Sequence, residues 1–221
     1  MPTVQDTAYP RLTGTVSPRD LAAVYTPTWE EVALANGATK GTSARVCFLV
    51  YVKTYQRLGY SIPIADVPAA IVEHIARSVG VTTPVGVAGY DTSGTRQRHL
   101  GVIRAHLRVR PFGPLAHRAM VLALVEAART KHDLADLINV AIEELVRQRY
   151  ELPVFATLDR AARHVRALLA RALYRQVSAA LTPAARSTID ALFIADLTTR
   201  RTPWNDLKAD PGHPTLRHLG V

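Results

Sequence analysis

The 221-residue sequence contains one cysteine, Cys47, so no intrachain disulfide can form. A chain with a single thiol is expected in a reducing compartment, and cytoplasmic localisation follows. There is no run of about 20 apolar residues, the length a bilayer-spanning helix needs, which argues against a membrane partner. The first ten residues are polar and lack the basic-then-apolar layout of a secretory signal. Acidic residues are also under-represented, 18 against 27 basic ones, giving a net charge of +9 and a pI near 10.1. A folded protein this basic attracts polyanions, of which nucleic acid is the commonest. Lysine is scarce too: Lys40, Lys53, Lys131 and Lys208 are the only four, leaving 23 arginines. Arginine suits bidentate contact to phosphate and guanine, although a GC-rich coding sequence produces the same bias.

What is present is an ordinary globular composition, 48% hydrophobic and 20% charged, long enough for one large or two to three small domains. Helix signals recur and strand signals are few. Ser17, Pro18 and Asp20 read as an N-cap, a first-turn proline and an early acid. Thr28 and Glu31 form a capping box, and Asn36-Gly37 is expected to end the helix it opens. An apolar helix is expected over 42–58, closed by Gly59, and another between Asp66-Pro68 and Gly80. The stretch 81–92, with Pro84, Gly86 and Gly89, is the best first domain boundary. Helices are then expected over 95–107, 115–129, 134–150 and 157–180, with Glu151-Leu152-Pro153 as a second break. Thr182-Pro183 opens one more helix ending near Leu197, and 198–221 reads as an extended linker. The expectation is an all-α chain of successive small helical domains, 1–84 and 85–150, followed by a helical extension and linker, 151–221, with one long amphipathic helix.

Two helical faces stand out. At 100° per residue, Leu100, Ile103 and Leu107 fall on one side of the 95–107 helix, and Arg98, Gly101, Arg104, Ala105 and Arg108 on another. Small residues between arginines let a helix approach a major-groove floor, but an ordinary amphipathic helix with a solvated basic face has the same pattern. On 157–180, Arg160, Arg163, His164, Arg171 and Arg175 lie opposite Leu158, Ala161, Ala162, Val165, Leu168, Leu169 and Ala172. That ridge suits phosphate tracking or plain solvation. Arg45 and Lys53 on the 42–58 helix form a third, weaker candidate.

Signals of catalysis are poor. His99 and His106 are seven apart, His213 and His218 lie in a Pro/Gly-rich tail, and Glu143-Glu144 are neighbours that diverge on a helix. Neither a phosphate-cradling glycine loop nor a serine nucleophile elbow occurs, and no cofactor or metal is expected.

The order of short motifs along the chain resembles the N-terminal region of transposases of the Tn-three family, which move by replicative, cointegrate-forming transposition. The resemblance runs through Arg19-Asp20-Leu21, Tyr25-Thr26-Pro27, Glu30-Glu31, Val67-Pro68, Ile71-Val72 and His74-Ile75-Ala76. It is strongest at Tyr90, Ser93-Gly94-Thr95-Arg96, Arg98-His99, Ile103-Arg104 and Leu107, and it returns at 207–212. The chain departs from the family at Asn36-Gly37-Ala38-Thr39, often basic there, and at Arg108-Val109, often Gly-aromatic. The resemblance implies helix-turn-helix-like domains that bind the terminal inverted repeats as double-stranded DNA. It also implies a two-metal RNase H-like catalytic domain far downstream, so that this chain is not itself an enzyme. Self-association through a larger transposase is a further implied partner, and a truncated regulator acting by end occupancy is the alternative reading. The candidate DNA-binding residues are Arg96, Arg98, His99, Arg104, Arg108, Arg45, Lys53, Arg160, Arg163, Arg171 and Arg175.

Overall fold

The computed structural model describes residues 3–12, 14–82, 86 and 89–208. Within them the chain is all-α: no strand forms, and one isolated parallel bridge joins Arg110 to Tyr150. It divides into two compact units, Met1–Leu169 and Ala170–Val221.

After a single 3-10 turn at Val4–Asp6, the first unit runs through α1 (Pro18–Asp20), which leads into a wider turn at Leu21–Tyr25, and then α2 (Trp29–Ala38), α3 (Thr42–Leu58) and α4 (Ala69–Ser78). Ser17 caps α1 by accepting the Asp20 N–H, and Thr28 and Glu31 close a reciprocal capping box on α2. Helix α3 is the centre of the first core. Residues 46–55 are all buried, including Phe48, Leu49, Tyr51 and Tyr55 at 1% exposure or less. It stops at Gly59, whose φ of +75° is open to glycine at little cost, with the Gly59 N–H bonded to the Tyr55 carbonyl at 2.8 Å. Ala35 of α2, Ile71 and Ile75 of α4, and Leu100 and Ile103 of α5 (Gly94–Leu107) complete that core.

A second core lies between α6 (Pro114–Ala127), α7 (Leu134–Arg147) and the start of α8 (Phe155–Ala180). Met120 and Leu124 face Leu137, Ile138 and Leu145, and Leu158, Ala162 and Val165 cover them. The N-terminal segment also packs here, where the Tyr9 hydroxyl donates to the Pro153 carbonyl at 2.9 Å. Backbone bonds join the two cores: Leu152 N–H to Gly59 O at 2.9 Å, and Glu151 N–H to Arg110 O at 2.8 Å. The second unit holds the end of α8, then α9 (Pro183–Ala191), capped by Thr182, and α10 (Pro203–Leu207). Phe193 and Trp204 stack there with ring centroids 5.4 Å apart.

Several helix ends differ from the sequence expectation. Helix α2 runs through Asn36-Gly37 to Ala38, and the Thr39 hydroxyl bonds the Ala35 carbonyl at 2.7 Å. Gly37 is not among the left-handed glycines, so it does not act as a terminator. Helix α7 stops at Arg147, because Arg149 turns left-handed and the Tyr150 N–H returns to Leu145 O at 2.8 Å. Helix α9 ends at Ala191 rather than near Leu197, and the expected linker carries α10, with Pro203 in the first helical position, where its missing N–H costs nothing. Pro84 and the tail histidines His213 and His218 lie outside the described residues.

Two buried polar groups test this packing. Glu31, 3% exposed, accepts from Thr28 N–H, from Gln56 and from the Lys53 ammonium at 3.3 Å. Glu31→Ala strands the buried Lys53 charge and removes half of the capping box. It should cost about 3–5 kcal/mol in urea unfolding, whereas Lys53→Met, which leaves the carboxylate its other donors, should cost less. Equal losses would mean that the stranded lysine charge is not what makes loss of Glu31 costly.

His99, 3% exposed, sits edge-on to Phe48 with its Nδ1 on the Tyr90 hydroxyl. Burial lowers its pKa below the ordinary 6.5, against an opposing backbone bond at Ala38. A depressed folded-state pKa adds stability above the unfolded value and withdraws it as pH falls through the folded value. Melting temperature should therefore drop as pH is lowered below about 6.5, and His99→Gln should drop less steeply over the same range; parallel slopes would contradict the assignment.

Candidate nucleic-acid interface

Helix α5 is held by its ends and by its apolar side. Ser93 caps it by accepting the Arg96 N–H at 3.4 Å, and Arg108 ends it in the left-handed conformation, φ 54°. Leu100 and Ile103 are buried in the first core, with Leu107 packed at its edge. The opposite side of the helix faces solvent: Gly94, Gln97, Arg98, Gly101, Ala105 and Arg108 are exposed. A Cβ added at Gly94 or Gly101 would meet nothing within 4 Å, so the backbone there is bare to an approaching surface.

The arginines of α5 and its cap separate into two pairs. Arg96 turns inward, donating from Nε to the Tyr51 hydroxyl at 2.7 Å and lying 4.0 Å from Asp91. The Tyr51 hydroxyl in turn donates to Asp91, which also accepts the Ile64 N–H at 3.0 Å. Arg104 is tied sideways, 2.8 Å from the Glu151 carboxylate, with the Tyr55 hydroxyl close by. Arg98 hydrogen-bonds its own-helix neighbour Thr95 at 3.3 Å, and neither Arg98 nor Arg108 has an ion-pair partner among the described residues. The fixed arginines orient the helix, and the free ones extend from its exposed face.

The other sequence candidates are placed as follows. His99 is in the core, and Lys53 is 7% exposed and paired with Glu31. Its position directly after the apolar run Val50-Tyr51-Val52, on a helix that continues to Tyr55 and Leu58, was the signal for burial, since a lysine among such neighbours goes in only with a partner. Arg45 is half-buried and donates to Asn36 Oδ1 at 3.2 Å. On α8, Arg160 is exposed and Arg163 is clamped to Asp159 at 2.8 Å, an i,i+4 pair. Arg171 and Arg175 belong to the second unit and are exposed. Motif reasoning passed over Lys40, exposed just before α3, and Arg110, whose guanidinium lies 4.0 Å above the Tyr150 ring. By contrast, the outer side of α7 exposes Asp136 and Glu143 and is unsuited to a polyanion.

Among the described residues, no group of three or more His, Cys, Asp or Glu side chains is placed to share a metal ion. No helix among them is long and apolar enough to cross a membrane.

Comparison with known proteins places this architecture. Residues 1–165 match the family described as "Domain of unknown function (DUF4158)". The chain is 28% identical over 202 residues to the transposase for transposon Tn501 of Pseudomonas aeruginosa, covering 90% of this chain and 20% of that protein. It is 25% identical over 155 residues to the transposase for transposon Tn1546 of Enterococcus faecium, covering 69% of this chain and 16% of that one. It thus spans a fifth or less of the length of these relatives. The chain belongs to the DUF4158 family, and the relatives it is similar to are transposases, in line with its resemblance to the N-terminal region of the Tn-three kind.

Proposed function

We propose that this chain binds the double-stranded DNA of transposon ends in a sequence-specific way, as the non-catalytic end-recognition part of a transposase. The observation that carries this reading is the exposed side of α5. Bare backbone at Gly101 and the short Ala105 lie between Arg98 and Arg108, with bare Gly94 one turn ahead, and neither arginine pairs with a carboxylate among the described residues. A helix of that relief approaches the floor of a major groove while guanidiniums at its margins reach base edges and phosphates. The net charge of +9 supplies the long-range attraction, and the transposase relatives supply the class of DNA. The strand-transfer chemistry of such a protein belongs elsewhere than on α5, since two-metal phosphoryl transfer needs converging carboxylates.

The test exploits the open space at Gly101. A Cβ at Gly101 meets nothing within 4 Å, and replacing a mid-helix glycine raises helix propensity by up to about 1 kcal/mol, so Gly101→Leu should keep or stabilise the fold. Its side chain would nevertheless stand between α5 and the groove. In titrations against a terminal inverted repeat and a scrambled duplex, Gly101→Leu should lose most of its preference for the repeat. Arg98→Ala should cost about 1–3 kcal/mol on the repeat and less on scrambled DNA. Arg147→Ala, on the acidic side of α7, should change neither. Unchanged preference in Gly101→Leu would remove α5 as the reading helix.

A further inference from the structure

A recess of about 430 Å³ opens beside the N-terminus of α5, within the ~300–1,000 Å³ range of sites that take small ligands or ligand groups. Its wall is made by Lys40, Ala44, Tyr90, Ser93, Thr95, Arg98 and His99, with Ala38. Two of these are cations and none is a carboxylate, so among the described residues the formal charge lining the recess is all positive. Lys40 and Arg98 come from different segments, the turn before α3 and the second turn of α5, and are brought to one opening by the packing of α3 against α5. Arg98 is steadied by its bond to the Thr95 hydroxyl. The back wall is neutral: burial disfavours the charged form of His99, whose Nδ1 is engaged by the Tyr90 hydroxyl. The first N–H groups of α5, at Gly94 and Thr95, have no intrahelical acceptor and point out of the helix start beside Ser93. They add donors to a pocket that the two cations already define.

We infer that this recess seats one phosphate group of the DNA backbone, with Lys40 as a point charge and Arg98 as a two-pronged donor. Because Arg98 also borders the exposed side of α5, a phosphate held here would fix the helix's register against the groove, as phosphate contacts do. The assignment of a phosphate rests on the recess itself; that the phosphate belongs to DNA rests on the reading proposed above.

Two arms separate those claims. In the first, the full chain is titrated with inorganic phosphate at constant ionic strength while its amide resonances are followed by NMR. Saturable shifts are expected at Lys40, Gly94 and Thr95, and they should vanish in Lys40→Met. In the second, duplexes carry one neutral methylphosphonate at successive positions. The native chain should lose about tenfold in affinity at one position per binding site, the effect of a single charge-assisted contact, and Lys40→Met should be indifferent at that position. Saturable phosphate shifts without duplex binding by the native chain would keep the recess as a phosphate site and sink the DNA reading. If every methylphosphonate position costs the native chain and Lys40→Met alike, the recess does not hold a backbone phosphate. Circular dichroism confirms that the variant, altered at an exposed residue, still folds.

Discussion

Burying ten consecutive residues on one helix imposes a constraint that the rest of the first unit satisfies. Residues 46–55 of α3 present apolar or aromatic groups around the whole circumference, so no side of that helix is left for water. A helix of this kind has to be enclosed on every side, and α2, α4, α5 and the turn at 21–25 do so. Burying all round the helix also takes Lys53 out of water. The charge is tolerated because α2 delivers Glu31, whose carboxylate is already fixed by its capping role at Thr28. One carboxylate therefore starts α2, neutralises the lysine of α3 and sets the spacing between the two helices.

The same helix governs how α5 presents itself. Phe48 and Tyr51 of α3 meet His99 and Tyr90, and the Tyr51 hydroxyl links Arg96 to Asp91. Farther along, Arg104 is anchored to Glu151, which belongs to the strand-like crossing where Arg110 and Tyr150 pair. Polar anchors on one flank and Leu100 and Ile103 underneath leave little freedom for α5 to roll about its axis. Its solvent side is thereby specified: bare backbone at Gly94 and Gly101, with Arg98 and Arg108 outside any ion pair among the described residues. On the proposed reading, such preorganisation matters because a groove-reading helix must arrive with its side chains already aligned.

Local chemistry was legible in the sequence, and long-range pairing was not. The caps at Ser17 and Thr28, the left-handed Gly59 and the apolar stripe Leu100-Ile103 follow from neighbours within a few residues. Asn36-Gly37 misled because a glycine ends a helix only when the chain turns left-handed at it, and here the chain does not. The prolines of the expected tail hid a helix, since Pro203 at a first position starts one as readily as proline elsewhere stops one. The candidate surface divided the same way. Helical spacing put Arg98, Arg104 and Arg108 together, but nothing local distinguishes Arg104, tied to a carboxylate 47 residues away, from its free neighbours. Lys40 carried no motif, and its place beside Arg98 depends on how α3 packs on α5.

The central claim is that the exposed side of α5 lies in the groove, and site-directed cross-linking tests it most directly. The sequence suits the method, because Cys47 is its only cysteine, is buried, and has its thiol pKa pushed up to about 11, chiefly by burial. A new cysteine at an exposed site is then the reactive one. Ala105→Cys on α5 and Glu143→Cys on α7 would each be incubated with inverted-repeat duplexes whose major groove carries a base tethered to a mixed disulfide, from which the cysteine thiolate displaces a small thiol. The account predicts a disulfide cross-link from position 105 to bases within one stretch of the repeat, and none above background from position 143. Efficient cross-linking from 143, or from neither position under conditions where the complex forms, would contradict it.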